Sequence, residues 1–125
     1  MKELTKAEEQ IMLILWQKEN AFVKDVIEEL PEPKPAYTTV STIIRILENK
    51  GFVAHQEFGK IHQYYPIVNQ SDYAEKFMNG FIKDYFANSF QQLVSFFSKS
   101  ENISINELEQ IKKIVESEIT KKKEE

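Results

Sequence analysis

The chain has no cysteine among its 125 residues. That excludes disulfides, thiolate metal sites and cysteine nucleophiles, and it suits a reducing compartment. Glycine occurs only at Gly51, Gly59 and Gly80, too scattered to build a phosphate-cradling loop or a dinucleotide fingerprint. The longest unbroken apolar run, IMLILW at residues 11–16, falls far short of the roughly 20 residues that a membrane span needs. The opening MKELTKAEEQ is charged and lacks an apolar centre, so no secretory signal is expected. The chain reads as cytoplasmic, without membrane insertion. A basic excess is also missing: 16 Lys+Arg stand against 20 Asp+Glu, a formal net charge of −4. This balance argues against indiscriminate nucleic-acid binding and leaves room for a small basic patch. No GxSxG, HExxH or paired His/Cys site occurs, and the carboxylates lie on charged helix faces, so no enzyme activity and no cofactor are expected.

What is present is enough apolar residue, 42%, to build a packed core in one domain or in one compact domain with an appendage. Residues 5–18 predict a helix opened by the capping box TKAE, in which Thr5 accepts from the Glu8 backbone and Glu8 reaches back. Ala7, Ile11, Ile14 and Leu15 share one face, with Met12 and Trp16 beside it. Residues 21–30 predict a second helix through Val23, Val26, Ile27 and Leu30, ended by PEPKP. A third helix is expected over 36–50, with an apolar stripe of Val40, Ile43, Ile44 and Leu47 and with Gly51 as the natural residue past its end. The opposite face carries Thr38, Thr42, Arg45 and Asn49, with Ser41 beside them and Thr39 on the other flank. After Gly51 the period becomes alternating. FVAHQEF and IHQYYPIV flank Gly59-Lys60 and predict a hairpin.

From Ser71 the pattern changes again. One long helix is expected to run to Ser98, loosened at Gly80, with Asp72 and Glu75 as its capping pair. This segment holds eight of the fifteen aromatic residues. Phe77, Phe81 and Tyr85 recur every fourth residue, and Tyr73, Phe86, Phe90, Phe96 and Phe97 add to them. After SKSEN, the motif SINE opens a last helix striped by Ile105, Leu108, Ile111, Val115 and Ile119, and KKKEE is a solvated tail. The boundary between the two parts falls at VNQSD, giving domains 1–70 and 71–125.

Three short helices followed by a hairpin is the layout of a winged helix-turn-helix. In that frame the third helix offers a face for a DNA major groove. Small hydroxyls let its backbone come close, the helix N-terminus attracts phosphate, and Arg45 and Lys50 neutralise charge. The same residues also suit an ordinary surface helix; the order of elements favours the groove. Lys60 at the hairpin tip is the candidate wing contact. His55, Glu57 and His62 lack the spacing of a zinc site and an evident fourth ligand, so no metal is expected there. Two helices cannot hide so many aromatics from each other; a second copy is the simplest cover, and folding of this segment back onto residues 1–70 is the alternative. The expected dimer residues are Tyr73, Phe77, Phe81, Tyr85, Phe90, Leu93 and Phe97, joined by Leu108, Ile111 and Val115 of the last helix.

The segments LTKAEEQIMLILW, TTVSTIIRILENKGFV and GKIHQYYPIV together resemble the BlaI/MecI/CopY family, the penicillinase repressors, over nearly the whole chain. TTVSTIIRILENKG is the most specific piece. The resemblance implies a mainly α (α+β) fold, an N-terminal winged helix-turn-helix with a β-hairpin wing followed by a helical dimerisation region. It implies a homodimeric repressor of palindromic operators, touching double-stranded DNA at Thr38, Thr39, Ser41 and Thr42. Family members often carry a basic residue immediately before the leucine of this helix, where this chain has Ile46; its arginine comes one place earlier, at Arg45. Some members are also basic where this chain has Thr38 and Ser41. Copper-responsive relatives bind metal through cysteines, which this chain lacks. Other relatives are inactivated when a membrane sensor protease system cuts the dimerisation region, at asparagine-phenylalanine; the corresponding bond here is near Phe96-Phe97. A winged helix that docks proteins without binding DNA is the alternative, and the acidic balance suits it.

Overall fold

The computed structural model describes residues 2–125. Its elements run α1 (Lys6–Lys18), β1 (Ala21–Phe22), α2 (Val23–Glu29), α3 (Tyr37–Asn49), β2 (Val53–Phe58), β3 (Ile61–Pro66), α4 (Gln70–Phe86), α5 (Phe90–Ser98) and α6 (Ile105–Lys123). The chain divides into a first unit that ends at Glu75 and a second over Lys76–Glu125.

The first unit is built from local signals that agree with one another. The Thr5 hydroxyl accepts from the Glu8 N–H at 3.2 Å and the Glu8 carboxylate accepts from the Thr5 N–H at 2.8 Å, which closes the capping box of α1. Asp25 accepts from the Phe22 N–H at 3.0 Å and starts α2. The Lys34 ammonium donates to the carbonyls of Glu28 and Leu30 and satisfies the end of that helix. Val40, Ile44 and Leu47 of α3 bury against Ile11, Met12 and Leu15 of α1 and Val23 and Val26 of α2. Phe52 and Val53 enter the same core as the chain leaves α3, and Tyr64 closes it from β3.

The sheet has three antiparallel strands in the order β1-β3-β2. The expected second helix, over residues 21–30, includes residues 21 and 22. They instead form a strand pairing Ala21 with Tyr64 and Phe22 with Gln63, because α2 begins only at Val23. In the wing Phe58 pairs with Ile61, which leaves Gly59-Lys60 as a two-residue turn. Gly59 has φ 63°, the left-handed value that a type II′ turn requires at its first central residue.

The first turn of α4 belongs to the first unit. Tyr73 is buried there, edge-on to Phe52 and tilted against Trp16, and its hydroxyl accepts from the Leu4 N–H at 3.1 Å. Its assignment to the dimer surface is therefore corrected: it is a core residue. The expected Asp72/Glu75 capping pair does not form the helix start either; Asn69 accepts from the Ser71 N–H at 2.9 Å.

The second unit differs from expectation at one point. Gly80 stays helical, and the long helix breaks at Ala87 and Asn88, which have φ 51° and 63°. Asparagine tolerates this conformation better than most residues. Ser89 then accepts from the Gln92 N–H at 3.1 Å and opens α5. Ser104 and Glu107 cap α6 reciprocally. Among the described residues, none in α5 or α6 is buried. No helix among the described residues is long and apolar enough to cross a membrane.

Candidate nucleic-acid interface

Two faces of α3 do two jobs. Val40, Ile44 and Leu47 are buried. Thr38, Thr39 and Thr42 are exposed near its start, with Ser41 half-buried among them. Ala36, at the cap position, offers no side-chain acceptor, so the first N–H groups of the helix keep their hydrogen-bonding capacity for something outside it. The hydroxyls are not equivalent. Thr42 donates to the Thr38 carbonyl at 2.8 Å and so presents its methyl group. Ser41 accepts from Arg45 Nη2 at 3.3 Å, which lays the guanidinium along the helix surface. Ile46 is exposed one residue further on.

The wing meets this helix across a groove lined by Tyr37, Ser41 and Arg45 on one side and Lys60, Ile61 and His62 on the other. Three expected contact residues thus come together although Lys60 lies far along the chain. Tyr37 was not among them. Its signal is present in the sequence: Tyr37, Ser41 and Arg45 stand four residues apart, one row along a helix. Tyr64 forms part of the groove floor. Burial raises its phenol pKa above the ordinary value, and the neighbouring Glu48 carboxylate adds to that, partly offset by Arg45.

Lys50 stands apart. Its ammonium lies 2.6 Å from the Glu8 carboxylate, which is only 4% exposed. Burial pushes the Glu8 carboxyl pKa up, but the Lys50 hydrogen bond and charge, with the Thr5 bonds, outweigh it and hold the carboxyl below its ordinary value. Lys50 therefore ties the end of α3 to the start of α1 and does not project into the groove.

The hairpin also brings His55, Glu57 and His62 to one face, their potential ligand atoms within 4.8 Å of one another. Linear spacing hides this. Glu57 and His62 are direct cross-strand partners, and His55 lies two residues along from Glu57 on the same side.

A family model described as penicillinase repressor matches residues 4–117. The chain belongs to the penicillinase repressor family. It is 34% identical over 114 residues to the methicillin resistance regulatory protein MecI of Staphylococcus aureus (strain N315), covering 90% of this chain and 93% of that one. It is 25% identical over 123 residues to the penicillinase repressor of Bacillus licheniformis, covering 98% and 96%. Among solved structures, the DNA binding domain of the repressor BlaI superposes with a TM-score of 0.50 at 28% identity, over 58% of this chain and 94% of that one. The complex structure of hsRosR-S4 gives a TM-score of 0.56 over 95% and 92%, and at 16% identity it shows likeness of fold alone. The family consists of regulators of transcription and not of enzymes, in agreement with the expectation from the missing catalytic signatures. Membership also confirms the mainly α, winged-helix reading of the first unit.

Proposed function

We propose that the protein is a homodimeric transcriptional repressor that grips a palindromic operator with α3 and the wing. The observation that carries this reading is the groove in which Ser41 and Arg45 face Lys60. Thr38, Thr39 and Thr42 bring the helix backbone close to base edges, while Arg45 and Lys60 neutralise phosphates. Tyr37 joins the set as a phosphate or sugar contact. Lys50, held by Glu8, is left out of it. A docking module would be expected to carry acid at the helix start; the first turn of α3 has none, and Arg45 is exposed further along, while Glu48 and Glu57 stand beside the hairpin histidines.

The second unit supports the dimer. Phe77, Tyr85 and Phe90 are exposed in the single chain, and Val115 of α6 is too. Phe81, Leu93, Phe97, Leu108 and Ile111 are half-buried. Covering them with a second copy removes a large apolar area from water. A two-fold dimer then sets two copies of α3 on half-sites one helical turn, or a multiple of it, apart.

Footprinting and gel shifts test the interface. The wild type is expected to protect paired half-sites. Arg45→Ala and Lys60→Ala should each weaken binding on all sequences and reduce the salt slope by about 1. Wild-type protection and slope in both variants would remove these residues from the interface.

Relief of repression by a membrane sensor protease is proposed at Phe96-Phe97. Phe96 is 70% exposed. The bond lies inside α5, whose lack of buried residues makes local opening inexpensive. Mass spectrometry of chains from induced cells should find fragments ending at or beside Phe96. Intact chains throughout induction would exclude this route.

A further inference from the structure

We propose that the wing carries a binding site for one divalent transition-metal ion, with His55, Glu57 and His62 as its protein ligands and Glu48 as a positioning residue. The antiparallel register puts the three side chains on one face, as a direct cross-strand pair and its diagonal neighbour. The two imidazoles stack with centroids 4.1 Å apart and planes 4° from parallel. Glu57 lies 3.8 Å from His62 Nε2.

The decisive detail is the outer partner. His55 Nδ1 lies 2.5 Å from the Glu48 carboxylate. In the tautomer that donates Nδ1–H to Glu48, His55 keeps the lone pair of Nε2 for a metal. A carboxylate behind a histidine is the arrangement that orients metal-bound imidazoles and raises their basicity. Glu48 comes from α3, so the site is braced from two elements.

A metal with nitrogen bonds of about 2.0–2.1 Å at tetrahedral angles needs ligand atoms about 3.4 Å apart. With His55 held by Glu48, the stacked His62 ring must turn out of parallel for its lone pair to converge with those of His55 and Glu57, whose ligand atoms all lie within 4.8 Å of one another. Two imidazoles and one carboxylate suit zinc, cobalt, nickel or copper and not calcium or magnesium, which prefer all-oxygen shells. The local charges are mixed: Glu48 and Glu57 favour a cation, whereas Arg45 and Lys60 on the adjoining groove oppose it. The site is also open to solvent, which leaves one coordination position for water and keeps the binding reversible.

Titration calorimetry with Zn2+ and visible absorption with Co2+, on full-length protein freed of affinity tag and of metal, test the site without DNA. One ion per chain is expected. Glu57→Gln, at an exposed side chain, and His62→Gln, at a half-buried one, should weaken Zn2+ binding by about tenfold or more, with the thermal midpoint kept. Glu48→Gln should weaken it by about tenfold and shift the Co2+ absorption bands, a change that a purely structural role would not produce. Absence of saturable Zn2+ and Co2+ binding by the wild type would overturn the proposal. So would unchanged affinity in a His55→Gln/His62→Gln double variant that melts as the wild type does.

Discussion

Glu8 and Lys50 form a pair whose two members differ in burial: the carboxylate is almost fully enclosed and the ammonium keeps a fifth of its side-chain surface in water. Removing Lys50 leaves a charge without a partner in the core between α1 and α3. For fully buried pairs that costs about 3–5 kcal/mol, and the remaining exposure brings Lys50→Ala to about 2 kcal/mol. Its affinity for the operator per folded molecule should be unchanged. A loss of affinity at full folding would return Lys50 to the interface. The pH dependence has a definite sign. The folded carboxyl lies below its ordinary value of 4.5, so the unfolded chain binds more protons there. The stability it contributes is present above 4.5 and is lost as pH falls through the lower folded value. Urea midpoints measured down through this acid range should fall for the wild type and fall less for Glu8→Gln.

The wing hairpin is the element on which both the groove and the histidine cluster depend. Its turn uses Gly59 at φ 63°, and an added Cβ there would meet nothing within 4 Å. The cost of Gly59→Ala is thus one of backbone conformation alone, about 1 kcal/mol. Because Lys60 follows directly, the variant should lose operator affinity, and its thermal midpoint should fall by about 4–8 °C. Equal affinity of Gly59→Ala and wild type would mean that the turn need not hold Lys60 in place. The break between α4 and α5 is a second element-scale device. ANS is readable in retrospect as a left-handed residue followed by a helix cap. Gly80 draws attention because of its low helix propensity, but a helix of this length tolerates one glycine.

For the whole molecule the question is what covers the second unit. Phe90 is 63% exposed and Ile105 is 78% exposed in the single chain. Burying one phenylalanine stabilises by about 1.5–3 kcal/mol, and a two-fold interface does so twice for each position. Phe90→Glu should shift the protein toward single chains in sedimentation equilibrium. It should also lower operator affinity by more than any single α3 substitution, since two linked half-site contacts become independent. A variant that remains dimeric and binds normally would move the interface away from α5.

The sequence by itself determined α1, α3, the caps of α1 and α6 and the wing hairpin, but not the start of α2 or the break between α4 and α5. Thr5 with Glu8, Ser104 with Glu107 and the Val40–Leu47 stripe are encoded within one or two turns, where hydrogen bonds and amphipathic period depend on near neighbours alone. The tertiary structure decided what lies across elements. It paired Lys50 with Glu8, buried Tyr73, added β1 to the sheet and gathered His55, Glu57 and His62 with Glu48 behind them. Those pairings are set by strand register and by the packing of helices far apart in sequence, and no local period records which side chains such packing brings together.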